Sequence, residues 1–244
     1  MPNLIKNPEL VSVTTPYGKV KLNISKNYGH ELFFINRHGE KGNIPPHKIN
    51  YHSNIQAFAS CHVDCILSIG TVGSMKEKIR PGDFFIPHDF VDNTKLRKPS
   101  FFDDSRVHVD MSSPFCPALI EIIISKCKEI GEINLHSNGV YLCTEGPRLE
   151  TASEIKLFSQ VADVVGMTIV PEVILAREID VCYASLCIVC NMAAGLQNQL
   201  TANEISSVYS QLEPMVSKVL ENTIKSINEK KDCNCRKIIS GASI

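Results

Sequence analysis

Tryptophan is absent from the 244-residue sequence, aromatic residues make up only 7% of it, and neither sign of charge is in clear excess. Because 25 Lys and Arg stand against 26 Asp and Glu, the net charge of −1 does not favour nucleic acid or an anionic membrane as a partner. No apolar run approaches the roughly 20 residues that span a bilayer, and "MPNLIKNPEL" lacks the apolar core of a signal peptide. With no repeats and no linker rich in Pro, Gly or Ser, a single cytoplasmic domain is the simplest expectation.

Cysteine, by contrast, is abundant, with ten in the chain. Most lie in apolar runs such as "VCYASLCIVC", where they are expected to pack as small buried side chains. "CHVDC", from Cys61 to Cys65, has a metal-like spacing, but it falls where a helix passes into a strand, so its side chains are not expected to converge on an ion. The domain is expected to cover residues 1–230, and the polar segment 231–244 with Cys233 and Cys235 to be an exposed, disordered tail. A redox or disulfide role is the alternative for this pair.

Apolar strands alternate with helices along the chain. Strands are predicted at 20–24, 31–36, 65–70, 83–87, 139–143 and 181–190, and helices at 47–62, 117–130, 152–160, 171–179 and 202–228. "TASE" from Thr151 and "TANE" from Thr201 have the capping-box pattern that begins a helix. The alternation predicts a single α/β domain with a central mixed or mainly parallel sheet flanked by helices.

Polar or glycine-rich segments follow four of the predicted strands. They are "RHG" at 37–39, "GTVGS" at 70–74, "TEGPRLE" at 144–150 and "NMAAG" at 191–195. "TVGS" is expected to be a turn whose backbone amides can approach a ligand. Because ligands bind beyond the carboxyl ends of strands in such sheets, the four segments are predicted to form one composite pocket.

Several side chains in these segments suit an oxyanion and a heterocyclic base. Arg37 and His38 place a fixed cation beside an imidazole, which suits phosphate. Glu150 precedes the expected cap Thr151 at the positive end of a helix dipole, where a carboxylate can accept from a ring N–H. Asn191 offers a donor and an acceptor on one amide, so with Glu150 it can bracket a purine edge. Taken singly, each residue could equally serve a cap, a turn or a solvated loop.

Four longer segments carry a resemblance to a known family. They are "RHGEKGNIPPHKINYHSNIQA", "TVGSMKEKIRPGDFFIPHDFVDNTK", "TEGPRLETASE" and "VVGMTIVPEVILAREIDVCYASL". In this order they resemble methylthioadenosine phosphorylases and the related trimeric purine nucleoside phosphorylases, over roughly residues 15–228. The resemblance implies a nucleoside-phosphorylase fold, a homotrimer or a hexamer built from trimers, and a role in purine or methionine salvage. It also implies phosphorolysis of a purine nucleoside to free base and ribose 1-phosphate or its 5-methylthio analogue, with phosphate as co-substrate and no metal or organic cofactor.

The resemblance also implies roles for individual residues. Phosphate would be bound by Arg37, His38, Thr71 and Thr168. The nucleoside would be contacted by Leu149, Gly166, Met167 and, from a neighbouring subunit, His108. Glu150 and Asn191 would hold the purine and stabilise the charge that the leaving base acquires.

The sequence departs from the family pattern in two places. Adenine-selective members carry Asp where this chain has Asn191, and an amide that donates to a 6-carbonyl instead favours 6-oxopurines such as methylthioinosine, inosine or guanosine. The family also opens with a strand ending in a Gly-Gly-Ser/Thr-Gly phosphate loop, whereas "MPNLIKNPELVSVTTPYGK" aligns after that loop. Gly70 stands where many relatives carry Thr or Asn. Weak phosphate binding is therefore expected.

Three functions remain compatible with these residues. The first is a phosphorylase of 6-oxopurine nucleosides. The second is a related enzyme that takes adenine nucleosides, or that uses water in place of phosphate. The third is a nucleoside-binding or assembly protein that has lost its activity. Phosphate dependence of base release separates a phosphorylase from a hydrolase, and purine binding without turnover would indicate the third.

Overall fold

Two β-sheets organise the chain in a computed structural model, which describes residues 4–198, 201–227 and 233–242. The strands are β1 (Glu9–Thr15), β2 (Gly18–Asn27), β3 (His30–Phe34), β4 (Cys65–Ser74), β5 (Phe84–Asn93), β6 (Leu135–Thr144), β7 (Val164–Gly166) and β8 (Cys182–Met192). The α-helices are α1 (Tyr51–Ser60), α2 (Pro117–Ile130), α3 (Ala152–Phe158), α4 (Glu172–Glu178) and α5 (Ala202–Lys225), and 3-10 turns cover Pro46–Lys48 and Asn234–Lys237. Among the described helices, none is long and apolar enough to cross a membrane.

The larger sheet is mixed and closes into a barrel in the order β4-β7-β6-β5-β8. β8 pairs in parallel with β4 and antiparallel with β5, and every residue from Cys182 to Asn191 is buried. Alternate residues of β8 therefore feed two cores. Tyr183 and Val189 pack with α1 and α4, whereas Ala184 and Ile188 pack with α2 and α5. The predicted α/β fold, a mixed sheet flanked by helices, is confirmed.

The smaller sheet is an antiparallel meander of β1, β2 and β3, which packs on α1. The sequence did not predict β1, because "ELVSVTT" has few apolar residues and four of its seven positions are exposed. The end of β3 leads directly into Arg37 and His38. The meander therefore places the segment "RHG" at the edge of the barrel.

Helix starts agree with their capping residues more closely than with the apolar pattern. Thr151 forms the predicted capping box with Glu154. Thr201 accepts from the Glu204 amide as predicted, but the Glu204 carboxylate accepts from Gln197. The prediction of one helix over 47–62 was wrong, since the side chain of Asn50 accepts from Ser53 N and starts α1 after a separate 3-10 turn.

"TVGS" was wrongly expected to be a turn, because Thr71–Ser74 continue β4 alongside β8. On its other edge, within the described residues, β4 pairs with β7 at Gly73 and Ser74 and at no other position. Along the rest of that strand a cavity opens toward apolar side chains of β3 and α5. We call this part of the cavity the β4 trench, lined by Leu32, Ile69, Tyr209 and Ile224.

The C-terminal segment packs on the barrel, so the expectation of an exposed tail was wrong for the described residues 233–242. Cys235 is buried, and Cys233 is half-buried. The backbone amides of Ile238 and Ile239 both donate to Asp180 Oδ1, at 3.0 and 3.1 Å. Residues 231–232 and 243–244 lie outside the described residues.

Candidate active site

One cavity of about 750 Å³ lies at the carboxyl ends of β3, β4, β6, β7 and β8. Nine of the residues singled out from the sequence line it, namely Arg37, His38, Thr71, Leu149, Glu150, Gly166, Met167, Thr168 and Asn191. The structure thus brings the four strand-end segments together as the topology argument predicted. His108 is the exception, because it is exposed and does not line this cavity.

Arg37 supplies a half-buried cation at one end of the cavity. Its Nη2 donates to Ser68 Oγ at 2.7 Å, and its Nη1 lies 3.2 Å from Glu172 Oε2. Burial by itself would lower the pKa of Arg37, but the Glu172 carboxylate together with the neighbouring tyrosines Tyr183, Tyr51 and Tyr141 offsets this, and the pKa is raised. Nη1 has no hydrogen-bond acceptor in suitable geometry within the described part of the chain. Arg37 therefore stays charged and retains an N–H that can donate to an anion.

Glu172 is a buried acid that the sequence argument overlooked. It lies in the first turn of α4 and accepts a hydrogen bond from the Tyr183 hydroxyl at 2.8 Å. Burial raises the pKa of Tyr183 well above its ordinary value, so the hydroxyl keeps its proton and donates. A single acid within the apolar run "TIVPEVILA" was the signal that could have found it, because an acid is rarely buried without a partner.

His38 has a fixed tautomer. Its Nδ1 lies 2.8 Å from the carbonyl oxygen of Ile44. A carbonyl can only accept, so Nδ1 carries the hydrogen and Nε2 of the neutral ring is an acceptor. His38 can therefore donate through Nε2 to a phosphate oxygen only when the ring is protonated.

β4 orders three polar groups along the cavity. Ser68 holds the guanidinium of Arg37. A Cβ on Gly70 would lie 3.7 Å from Thr168 Oγ1, and a Cβ on Gly73 would lie 2.8 Å from Asn191 Nδ2. At about 3.3 Å per residue, positions 68 and 73 are roughly 16 Å apart. A cation, a hydroxyl and an amide therefore follow one another along one strand.

A shift in register produces the contact between Gly73 and Asn191. β4 and β8 pair residue by residue up to Val72 and Val189, and Gly73 then pairs with Asn191. Continued regular pairing would place Ser74 opposite Asn191. Only a residue without a side chain fits against the amide at this distance, which explains glycine at position 73.

Thr71 lies on the cavity wall but is less well placed than Thr168 to meet the same anion. Successive side chains of a strand point to opposite faces, so Thr71 shares the face of Gly73, beside Asn191, and not that of Ser68 and Gly70, beside Arg37 and Thr168. It is also exposed. The hydroxyl of Thr168, which faces Gly70, is the better placed of the two for a ligand beside Arg37.

The other end of the cavity holds the carboxylate and the amide proposed for the base. Glu150 Oε1 accepts from Thr144 Oγ1 at 2.6 Å, and Asn191 Nδ2 donates to the backbone oxygen of Met192 at 2.9 Å. These bonds orient both groups. They leave Glu150 Oε2, Asn191 Oδ1 and one N–H of the amide for a ligand. Leu149, which is 42% exposed, lies beside them on the cavity wall.

Arg97 fixes the wall of the cavity and was missed by the sequence argument. Its guanidinium donates to the backbone oxygens of Glu145, Met167 and Val170, at 2.8, 2.7 and 2.6 Å. Its Nε also donates to Glu145 Oε1 at 3.1 Å. Arg97 thereby ties the loop after β6 to the loop after β7. Its signal in the sequence was weak, because "TKLRKPS" reads as an ordinary polar loop.

Most of the charged residues in the turn "TEGPRLET" form ion pairs that hold this wall of the cavity in place. Glu145 pairs with Arg97, and Arg148 pairs with Glu154 in the first turn of α3. Gly146 has a φ of +67°, and a Cβ there would come within 2.6 Å of Met167 Sδ. Glycine at 146 therefore lets Met167 pack against the turn, and Glu150 is the acid of the turn that lines the cavity.

Glycine at position 166 also permits a close contact, in this case with the side chain of Tyr141. A Cβ at this position would collide with the hydroxyl of Tyr141. The same hydroxyl accepts from the Thr168 amide at 3.4 Å. Tyr141 therefore supports the "GMT" segment from beneath, and the segment presents Met167 and Thr168 to the cavity.

Comparison with known proteins gives consistent results. The profile of the phosphorylase superfamily matches residues 4–225. A protein of Dictyoglomus turgidum named probable 6-oxopurine nucleoside phosphorylase is 46% identical over 239 residues, which cover 96% of this chain and 90% of that protein. A probable S-methyl-5'-thioinosine phosphorylase of Methanocaldococcus jannaschii is 42% identical, with coverage of 99% and 95%. The crystal structure of a methylthioadenosine phosphorylase from an Antarctic soil metagenomic library superposes with a TM-score of 0.93 at 28% identity, covering 99% of this chain and 87% of that one.

Proposed function

Because this chain belongs to the phosphorylase superfamily, we propose that it cleaves purine nucleosides of the 6-oxopurine type by phosphorolysis. The products are the free base and ribose 1-phosphate or 5-methylthioribose 1-phosphate. Phosphate is the co-substrate, and the proposed reaction uses no further cofactor. The chain is thus a purine nucleoside phosphorylase, a pentosyltransferase.

The order of polar groups along β4 is the observation that carries this proposal. Arg37 lies beside Ser68, the Thr168 hydroxyl faces Gly70, and the Asn191 amide packs on Gly73. A nucleoside laid along the strand places its base at Asn191, its ribose beside Met167 and Thr168, and an attacking phosphate at Arg37. Such a pose aligns the phosphate with C1′ on the face opposite the base, as in-line displacement requires.

The chemistry follows from where charge develops. A phosphate oxygen forms a bond to C1′ as the C1′–N9 bond breaks, and the electron pair of that bond passes to the purine. The ribose acquires oxocarbenium character, which the phosphate anion stabilises. The purine becomes negative at O6 and N7, where a hydrogen-bond donor lowers the barrier. Asn191 supplies a donor for the purine, and Glu150 accepts from the N1–H that only a 6-oxopurine carries.

Asn191 is the residue that supports a 6-oxopurine over adenine. An amide can donate to the 6-carbonyl, whereas an Asp carboxylate can only accept from a 6-amino group. The relatives from Dictyoglomus and Methanocaldococcus carry 6-oxopurine and thioinosine names. The structural relative carries a methylthioadenosine name at lower identity. Both the amide and the more similar relatives support a 6-oxopurine substrate.

A panel of nucleosides with and without phosphate tests the proposal. Methylthioinosine, inosine, guanosine and methylthioadenosine are each incubated with the protein, and free base is quantified by chromatography. We expect release of hypoxanthine or guanine that depends on phosphate and yields the sugar 1-phosphate. Base release at an equal rate without phosphate would indicate a hydrolase. A preference for methylthioadenosine would contradict the 6-oxopurine assignment, and purine binding with no turnover would contradict an enzyme.

A further inference from the structure

Four cysteines meet beside the first residue of β8, at the opposite end of that strand from Asn191. Cys116 immediately precedes α2, Cys182 begins β8, and Cys233 and Cys235 belong to the C-terminal segment. Their sulfur atoms all lie within 4.8 Å of one another. We call these residues the cysteine quartet. Three segments that are distant in the sequence therefore each contribute cysteine side chains to one cluster.

The spacing of the sulfur atoms is that of a thiolate metal site. Cys233 Sγ lies 3.7 Å from Cys116 Sγ and 3.5 Å from Cys182 Sγ. A tetrahedral zinc ion with Zn–S bonds of about 2.3 Å holds its sulfurs about 3.8 Å apart. The sulfurs of a disulfide, by contrast, lie about 2.05 Å apart, and none of the ten cysteines, all of which the structure describes, is in a disulfide.

The quartet is closed, as structural metal sites are. Cys116, Cys182 and Cys235 are 1%, 0% and 6% exposed, and Cys233 is half-buried. Four ligands from protein side chains complete a tetrahedron and leave no position open for water or substrate. A site at the quartet would therefore act in stability and take no part in the reaction at the cavity.

The surroundings hold the quartet in place and offset its charge. The Cys116 amide donates to the carbonyl of Tyr183 at 2.8 Å, which fixes Cys116 beside the start of β8. Asp180 binds the amides of Ile238 and Ile239, which fixes the C-terminal segment at the same place. Cys116 also lies at the positive end of the 14-residue helix α2, whose dipole is complementary to the negative charge of a metal–thiolate group.

We propose that Cys116, Cys182, Cys233 and Cys235 bind one Zn²⁺ ion that fastens the C-terminal segment to α2 and β8. The four thiols release four protons on binding, and the resulting Zn(Cys)₄ group carries a net charge of −2. Zinc suits four buried thiolates in tetrahedral geometry. The site is independent of the proposed nucleoside chemistry.

Metal analysis of the full-length protein, purified with a thiol reductant and with zinc in the medium, tests the proposal. We expect about one zinc per chain by mass spectrometry of the elements. A variant with Cys233→Ala and Cys235→Ala should lose the metal by at least about tenfold, since it keeps two of four ligands. The matched control carries Cys127→Ala and Cys190→Ala, two buried cysteines of the same core that lie outside the quartet, and should keep its zinc.

A second measurement does not depend on how well the variants fold. The unaltered protein is stripped of metal and titrated with Co²⁺, which should give the thiolate-to-metal absorption of a tetrahedral site at one equivalent. Zinc should then displace it. Absence of zinc after incubation with excess metal, iron in its place, or two disulfides among the four cysteines in protein alkylated without reduction would each overturn the assignment.

Discussion

At the scale of single residues, Asn191 is held in one orientation by its own neighbour and by Gly73. Its Nδ2 already donates to Met192 O, so the amide cannot turn freely to suit a different base. A carboxylate at this position would face that carbonyl oxygen with no hydrogen to give. The local backbone therefore fixes the orientation of the amide that we propose selects the base.

Asn191→Asp is predicted to lower kcat/KM for methylthioinosine and inosine by about 30-fold, equivalent to about 2 kcal/mol. The reason is the loss of the donor to the 6-carbonyl. Turnover of methylthioadenosine should fall less or rise. Steady-state kinetics on the four nucleosides measure the ratio. The control Asn138→Asp makes the same chemical change at an exposed residue near the start of β6 and should leave all four rates unchanged. Equal losses for both base types in Asn191→Asp would contradict the selective role.

Arg37→Ala is predicted to raise the KM for phosphate by about 10- to 100-fold, because one charge-assisted donor contributes about 1.5–3 kcal/mol. The change also leaves the buried carboxylate of Glu172 without its partner. The double variant Arg37→Ala with Glu172→Gln removes that second effect and should recover part of the stability but not the phosphate affinity. Phosphate titrations with base release as the readout provide the test.

The control for this series is Arg148→Ala, which removes an exposed arginine near the cavity that is paired with Glu154. Its phosphate response should equal that of the unaltered protein. The same response in Arg37→Ala as in the unaltered protein would place the anion site elsewhere.

At the scale of elements, Arg97 joins two loops that carry most of the base pocket. Arg97→Met is predicted to lower the free energy of unfolding by about 3 kcal/mol, because it leaves Glu145 and several buried carbonyl oxygens without their donor. Urea denaturation followed by circular dichroism measures this. The adjacent Lys98→Met breaks an exposed ion pair with Asp103 and should stay within about 0.5 kcal/mol of the unaltered protein. A similar small change for Arg97→Met would rule out the proposed linkage of the loops.

The elements that the sequence predicted well are those whose signals are local. Helix 117–130 was predicted with the observed bounds, since Pro117 opens it and Gly131, at a φ of +77°, ends it. β7 was missed because three residues carry no period, and its pairing with β6 and β4 comes from the tertiary fold.

The residues of the candidate site differ in the same way, since some have local sequence signals and others depend on the tertiary fold. The sequence correctly placed Arg37, Glu150 and Asn191 together at one cavity, because each follows an apolar run and the fold brings such ends together. Arg97 could not be found from sequence, because its partners are backbone oxygens of residues distant in the chain. The cysteine quartet could not be predicted either, because its members come from segments that are distant in the sequence. The polar composition of "DCNCRK" wrongly favoured an exposed tail.

At the scale of the whole molecule, we propose a homotrimer, or a hexamer built from two trimers, in which His108 completes the site of a neighbour. The support is that His108 matches the family residue for the 5′ substituent, yet is exposed and outside its own cavity. Light scattering should give three or six chains per particle, and His108→Ala should lower kcat/KM for the nucleoside without changing the phosphate response. A monomer with full activity would contradict the shared site.

The unpaired stretch of β4 beside the trench has a consequence for the backbone itself. Peptide groups of a strand point alternately to its two sides, so from Ile66 to Val72 every second amide faces β8 and the others face the trench, where no strand of the described residues pairs with them. Amide hydrogen exchange read residue by residue should therefore alternate along this strand, with slow and fast positions in turn. A strand in the middle of the fold would then show the exchange pattern of a sheet's outer edge, and a bound nucleoside would slow the fast positions nearest Gly70.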